Sequence, residues 1–241
     1  MVLGMGFGSY VIYFVLVAGI VFSIVARKLT VRAALLGGLV GFSVFEGGGY
    51  TGIIMLTSFF ILGSGATSIG LNKKQAIGAA EENKGGRTAG QVMANGGMAA
   101  ILGAISWYRP EYARVVQIMM AGSLAAATAD TLSSELGTIL GRRFYSIITF
   151  KKDQRGQDGV ISLGGTLIGI TGAAIIACIY SIGHDWNINF LWIILAGIIG
   201  NIVDSLLGAT LERRHLIGNN LVNFSNTLTG AAVCWLLFRL Y

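Results

Sequence analysis

The chain has 241 residues, 54% of them hydrophobic, with 36 glycines and a single proline. Only 12% are charged, about half the ~25% of a soluble domain and too few to clothe a water-facing surface. Soluble globular and disordered classes are excluded, and an all-α, polytopic membrane protein is expected. A net charge of +6 would suggest nucleic acid in a soluble protein. In a membrane protein it reports loop sidedness, so the lipid bilayer and not nucleic acid is the expected partner.

A hydrocarbon core takes about 20 apolar residues per helix. Eight segments qualify, at roughly 8–26, 31–46, 52–71, 91–107, 115–141, 160–182, 190–211 and 221–240. The first lacks the basic flank and small-residue cleavage site of a signal peptide. Eight passes put 14 of the 17 Lys and Arg on one side and leave Arg109, Arg114 and Arg239 on the other. Positive charge marks the cytoplasmic face, so both termini are expected on the non-cytoplasmic side of a cell membrane. Helix glycines such as Gly37-Gly38 and Gly164-Gly165 let helices approach closely. No repeat suggests inverted halves, and one integral membrane domain over residues 1–241 is the simplest division. Glycine faces serve within and between subunits alike, which leaves a homo-oligomer open. Cys178 and Cys234 lie in apolar runs and read as small buried residues. His184 and His215 are isolated in predicted loops.

Five polar clusters open toward the basic side. The first is Glu82-Asn83-Lys84-Gly85-Gly86-Arg87, leading to Thr88, Gln91 and Asn95 at the start of the fourth segment. Helix N-terminal amides attract anions, and Lys84 and Arg87 add charged contacts to phosphate. Thr88, Gln91 and Asn95 share an inward face; the Gly-Lys-Ser/Thr ending of a P-loop is absent. In the fifth segment Asp130, Ser134, Gly137 and Gly141 fall within about 60° of one another on a helix. That face can hold a cation at Asp130 while something large lies against the glycines. Asp130 is ~18 Å from Arg142 along the helix, where a carboxylate costs roughly 2.5–3.5 kcal/mol and marks a functional site.

A basic loop follows, Lys151-Lys152-Asp153-Gln154-Arg155-Gly156-Gln157-Asp158-Gly159. In the seventh segment Asn201, Asp204, Ser205, Gly208 and Glu212 share one face, with Asp204 ~13 Å from Arg213. Asp204 therefore lies at a depth comparable with Asp130. Two carboxylates at one depth repel unless a cation lies between them. Carboxylates with few other ligands suit a Mg²⁺ ion that also takes phosphate oxygens. In the last segment Asn219, Asn223 and Asn226 stack on one face, supplying amide donors and acceptors or simply joining helices.

The spacing from Asp130 through Ser133, Gly137 and Gly141, followed by Lys151, Lys152 and a glycine, resembles a known nucleotide-binding signature. It is that of the CTP-dependent dolichol kinase and CDP-diacylglycerol synthase superfamily. A nearer match is the phytyl phosphate and prenyl phosphate kinase family, which includes transmembrane protein 19. Its features stand here as Lys84-Gly85-Gly86-Arg87 with Gln91-Val92 and Asn95-Gly96, then Ala129-Asp130-Thr131 with Ser134-Glu135. Asp204-Ser205-Leu206-Leu207-Gly208-Ala209, the stretch 219–227 and Thr229-Gly230-Ala231 complete it. The resemblance covers roughly residues 70–235. Where the dolichol kinase signature has Glu-Gly after its lysines, this chain has Arg155-Gly156 and Asp158-Gly159.

The resemblance implies transfer of the γ-phosphate of CTP to an isoprenoid monophosphate such as phytyl or geranylgeranyl phosphate, at a site facing the cytoplasm. On that reading Asp130 and Asp204, with Glu135, hold Mg²⁺, while Lys84 and Arg87 neutralise developing charge. Ser134, Gly137 and Gly141 form the close-packed floor. Asn95, Asn220 and Asn223 orient phosphates, and Lys151 and Lys152 belong to the nucleotide signature. Two other readings stand beside it: a CTP-dependent lipid cytidylyltransferase, and a transporter using the two aspartates as ion sites.

Overall fold

The computed structural model describes residues 7–76 and 86–241, with the Phe7 side chain left aside. Its helices are α1 (Phe7–Val25), α2 (Val31–Ser68), α3 (Leu71–Ala76), α4 (Ala89–Tyr108), α5 (Ala113–Leu140), α6 (Leu163–His184), α7 (Asn189–Leu207) and α8 (Asn219–Leu240). Between α5 and α6 two short strands pair antiparallel, β1 (Tyr145–Ser146) with β2 (Val160–Ile161). The expected all-α membrane architecture is present. Among the described residues six helices are long and apolar enough to cross a bilayer.

The second and third predicted segments share the single element α2, 38 residues long. A straight helix of that length would separate its ends by about 57 Å. Instead, Lys28 Nζ before its start donates to Ser68 Oγ at its end, 3.0 Å away. The reversal is at Gly49 (φ 59°, ψ −152°), a conformation open to glycine and strained for other residues. So α2 is two antiparallel legs. The 20-residue α4 is not among the six spans, because its N-terminal half carries Gln91, Asn95 and glycines facing protein rather than lipid.

The sixth predicted segment begins too early. Val160 and Ile161 are taken by the strand pair, and the helix starts after Ser162, whose hydroxyl accepts from Gly165 N at 3.1 Å. His184, expected in a loop, is the last residue of α6. Its ring stacks on Tyr180, and Nε2 lies 3.0 Å from Gln117 Oε1.

At the centre runs α5, packed against α2, α4, α6, α7 and α8. Its residues Ala121 to Ala129 are all buried, and most are Ala, Gly or Ser. Lipid gives helices no hydrophobic drive to associate, so close backbone approach and dispersion must do it. Glycine pairs make that approach possible: a Cβ on Gly122 would lie 2.5 Å from the Gly230 carbonyl oxygen, and one on Gly47 only 2.0 Å from that of Gly103. Gly47→Ala is therefore expected to push α2 and α4 apart and to destabilise by about 1–3 kcal/mol. Gly65→Ala, where a Cβ would meet nothing within 4 Å among the described residues, should hold or raise stability through helix propensity. Thermal unfolding in detergent separates the two.

Candidate functional site

Asp130 follows the fully buried stretch of α5, and Asp204 lies in the last turn of α7. These helices pack side by side, and the two carboxylates come within hydrogen-bonding reach of each other. So close a pair demands a positive charge between them, a proton or a metal ion. Asp204 Oδ2 is buried and has no hydrogen-bond partner among the described residues, an acceptor left for a bound group. A π-turn, Gly208–Glu212, continues α7 directly below Asp204. Such turns recur at functional sites because they re-aim side chains.

Around this pair is a polar cavity of about 230 Å³. Of the residues expected at the site, Asp130, Asp204, Arg87, Asn95, Ser134, Glu135, Gly137 and Asn223 line it. Lys151, Lys152, Asn220 and Gly141 are not among its lining residues. Lys84 lies outside the described residues. The two lysines are exposed on the β1–β2 loop, which instead presents Gln157, Asp158 and Gly159 to the cavity. Asn220 packs on Gly90, where a Cβ would come within 2.6 Å of its Nδ2. The space before Gly137 and Gly141 is filled from within: added Cβ atoms would meet Gly165 Cα and Ser162 Oγ, each at 2.6 Å. The large object lying against those glycines is thus helix α6.

Arg87 is placed by backbone. Its N–H donates to Lys28 O (2.9 Å) and its carbonyl accepts from Thr30 N (3.1 Å), pinning this loop to the α1–α2 turn. Gly86 (φ 90°) lies so close that a Cβ would be 2.5 Å from the Lys28 carbonyl carbon. Thr88 and Gln91 then form a reciprocal capping box at the start of α4. The Thr88 side chain is spent there, and it does not reach the cavity, whereas Gln91 does. Asn95 donates to Gln91 O at 3.1 Å, and its Oδ1 is buried without a partner among the described residues. Asn223 donates to Asn219 Oδ1 at 3.0 Å, and both line the cavity.

Sequence reasoning placed Lys74 only among the basic-side charges. It is 2% exposed, and its ammonium donates to Ala66 O (2.9 Å), Thr67 O (3.2 Å) and the Glu135 carboxylate. All three protons are used. The Thr67 hydroxyl sits 3.0 Å from Glu135 Oε1 and 3.4 Å from Arg87 Nη2. Glu135 is thereby held by an internal lysine. Nothing in the doublet Lys73-Lys74 distinguishes the buried lysine from the exposed one except which face of a six-residue helix it occupies.

The lining side chains include five carboxylates (Asp130, Glu135, Asp158, Asp204 and Glu212) and, among the described residues, two cations, Lys74 and Arg87. Lys74 is committed to Glu135. A polyphosphate entering such a cavity needs divalent cations with it. Among the described residues no three His, Cys, Asp or Glu side chains converge as a ligand cage. The Asp130–Asp204 pair with its orphaned oxygen fits an ion that completes its shell with phosphate oxygens and water.

The β1–β2 loop is latched to the cavity rim. Gly159 (φ 71°) abuts Ala209, and Arg213 Nη1 donates to Asp153 Oδ2 at 2.9 Å. The Gln154 backbone N–H and then Arg213 hold the Asp153 carboxyl below its ordinary 3.8. A carboxyl lowered in this way contributes stability that is present above pH 3.8 and is lost as pH falls further, through the lowered folded value. The expected outcome is a latch intact at neutral pH and released in acid. An NMR titration should show Asp153 protonating later than a free carboxyl, with Arg213→Gln moving it back up.

The chain matches the family described as integral membrane protein DUF92 over residues 14–231. It is 35% identical over 201 residues to an uncharacterised membrane protein of Methanocaldococcus jannaschii, covering 83% of this chain and 82% of that one. It is 29% identical over 206 residues to the Arabidopsis thaliana "Protein VTE6, chloroplastic", covering 83% of this chain but 62% of that longer one. Similarity to the Arabidopsis "Protein PGR" is 28% over 225 residues, 81% and 78% of the two chains. No solved structure matches. With the family match running through nearly the whole helical bundle and every helix that builds the cavity, this chain belongs to the DUF92 family of integral membrane proteins.

Proposed function

We propose that this protein is an isoprenoid monophosphate kinase, moving the γ-phosphate of CTP onto phytyl or geranylgeranyl phosphate to give the diphosphate. The observation that carries the reading is the Asp130–Asp204 pair, two facing carboxylates with an unpartnered oxygen, on the floor of a cavity that also holds Arg87 and buried amides. The ordered motifs and the similarity to Protein VTE6 support it.

Phosphoryl transfer asks for positioning and charge neutralisation more than covalent chemistry by the protein. An acceptor phosphate oxygen attacks the γ-phosphorus, the bond to the bridging β–γ oxygen breaks, and CDP leaves with that oxygen. A monophosphate is already an anionic nucleophile, so no general base is needed. Bound Mg²⁺ would neutralise phosphate oxygens and be held by Asp130 and Asp204. Arg87 supplies fixed positive charge, with Lys84 added on the family resemblance, while Asn95 and Asn223 orient oxygens. Fourteen of the 17 Lys and Arg on the same side favour a cytoplasm-facing site.

The test is a product assay with Mg²⁺, CTP and geranylgeranyl monophosphate on purified protein, read by mass spectrometry. CDP with geranylgeranyl diphosphate is the expected result. Pyrophosphate with a CMP-lipid would replace the kinase by a cytidylyltransferase. No Mg²⁺-dependent consumption of any nucleoside triphosphate would favour the transporter.

A further inference from the structure

A second cavity, about 340 Å³ and apolar, runs between α1 and the two legs of α2. It shares Arg87, Gln91 and Asn95 with the polar cavity, so a molecule can lie with a charged end in one and a hydrocarbon end in the other. Arg87 stands at the junction, its guanidinium 5.9 Å over the Phe59 ring.

The glycines of this region divide into two kinds. Cβ atoms on Gly38 and Gly41 would come within 2.5 Å of Ile20 Cδ1 and 2.6 Å of Leu16 Cδ2, so those glycines hold α1 against α2. Among the described residues, a Cβ on Gly19 would meet nothing within 4 Å, and one on Gly37 only Leu29 Cδ1 at 3.7 Å. Helix contact does not require glycine at these two lining positions; their missing side chains leave notches in the walls. An unfilled notch forfeits dispersion contacts. A methyl-branched chain fills notches that a straight acyl chain leaves empty. α1 packs on α2 and otherwise faces outward, leaving a lateral route from the bilayer.

We propose that this groove receives the isoprenoid chain of the acceptor, with Gly19 and Gly37 acting as specificity-determining positions for its branches. The proposal rests on the isoprenoid monophosphate reading and adds where the chain lies and what selects it.

The experiment uses geranylgeranyl monophosphate carrying a diazirine on its terminal isoprene unit, photolysed with the full-length protein in nanodiscs without CTP. Peptide mass spectrometry is expected to find label on α1 and on the legs of α2 that line the groove. Gly37→Leu, which fills a notch, should cut labelling about tenfold. Gly65→Leu, on the same helix outside the groove, should leave it unchanged. If Gly37→Leu fails to fold, Gly19→Leu on the outer wall serves in its place, with a like loss expected. Label elsewhere on folded protein overturns the proposal. So does displacement by excess phosphatidylglycerol as readily as by unlabelled geranylgeranyl phosphate, which would make this an acyl-chain site. Because labelling needs no turnover, label in the groove with no CDP formed would defeat the kinase reading alone. Product formed with label elsewhere would defeat the groove alone.

Discussion

Asp130→Asn and Asp204→Asn are each expected to lower turnover by about 10²–10³-fold or more, the scale of losing one preorganised electrostatic contact to a transition state. The protein should still fold. Asparagine keeps the shape and removes the charge that lets the pair share a cation. Two measurements separate this from misfolding. In chelator, each variant should melt at or above the wild type, because one of two facing carboxylates has been neutralised. With Mg²⁺ at about 100 times its dissociation constant, the wild type should gain roughly 2.7 kcal/mol, and the variants should gain little. Full activity in Asp130→Asn would remove the metal role from this pair.

Lys74→Met is the second large effect, and it concerns folding first. Lys74 is 2% exposed and Glu135 17%. Removing one partner of a buried pair leaves an uncompensated charge and costs about 3–5 kcal/mol. The ammonium also closes the C-terminal end of α2, through Ala66 O and Thr67 O, so two carbonyls lose a donor as well. Lys73→Met, one residue earlier and exposed, should change stability little. The double variant Lys74→Met, Glu135→Leu should recover much of the loss, because replacing both members by apolar groups is often close to neutral. Thermal unfolding of the wild type, Lys74→Met, Glu135→Leu and the double variant as a cycle reads the coupling directly. A double variant no more stable than Lys74→Met alone would mean that Glu135 is held mainly by Thr67 and its other neighbours.

Much of the helical layout was legible because the bilayer imposes a length and an apolarity that few other structures share. Each of the eight predicted segments overlaps a helix or a leg of α2, and Asp130 and Asp204 stood out because carboxylates inside apolar runs are costly. The errors share a cause. Gly49 turns α2 back on itself, yet nothing in Gly47-Gly48-Gly49 marks which glycine takes positive φ. Val160 and Ile161 read as the start of a membrane helix, and pairing with Tyr145 and Ser146 made them a strand. Lys151 and Lys152 belong to the nucleotide signature by resemblance alone, and their loop turns Gln157 to Gly159 toward the cavity while the lysines stay exposed.

By itself, the sequence determined the class of protein, the approximate placement of its helices and the carboxylates buried among them. These follow from local composition and helical spacing, properties each segment carries alone. Which groups meet was decided only by the tertiary structure. Asp130 and Asp204 face each other because α5 and α7 pack side by side, 74 positions apart in the chain. Lys74 meets Glu135, 61 residues away, and Gly137 and Gly141 open a face that α6 fills. Helical periodicity gives a residue's direction around its own axis, whereas its partner depends on how helices cross, and small residues permit several crossings until packing selects one.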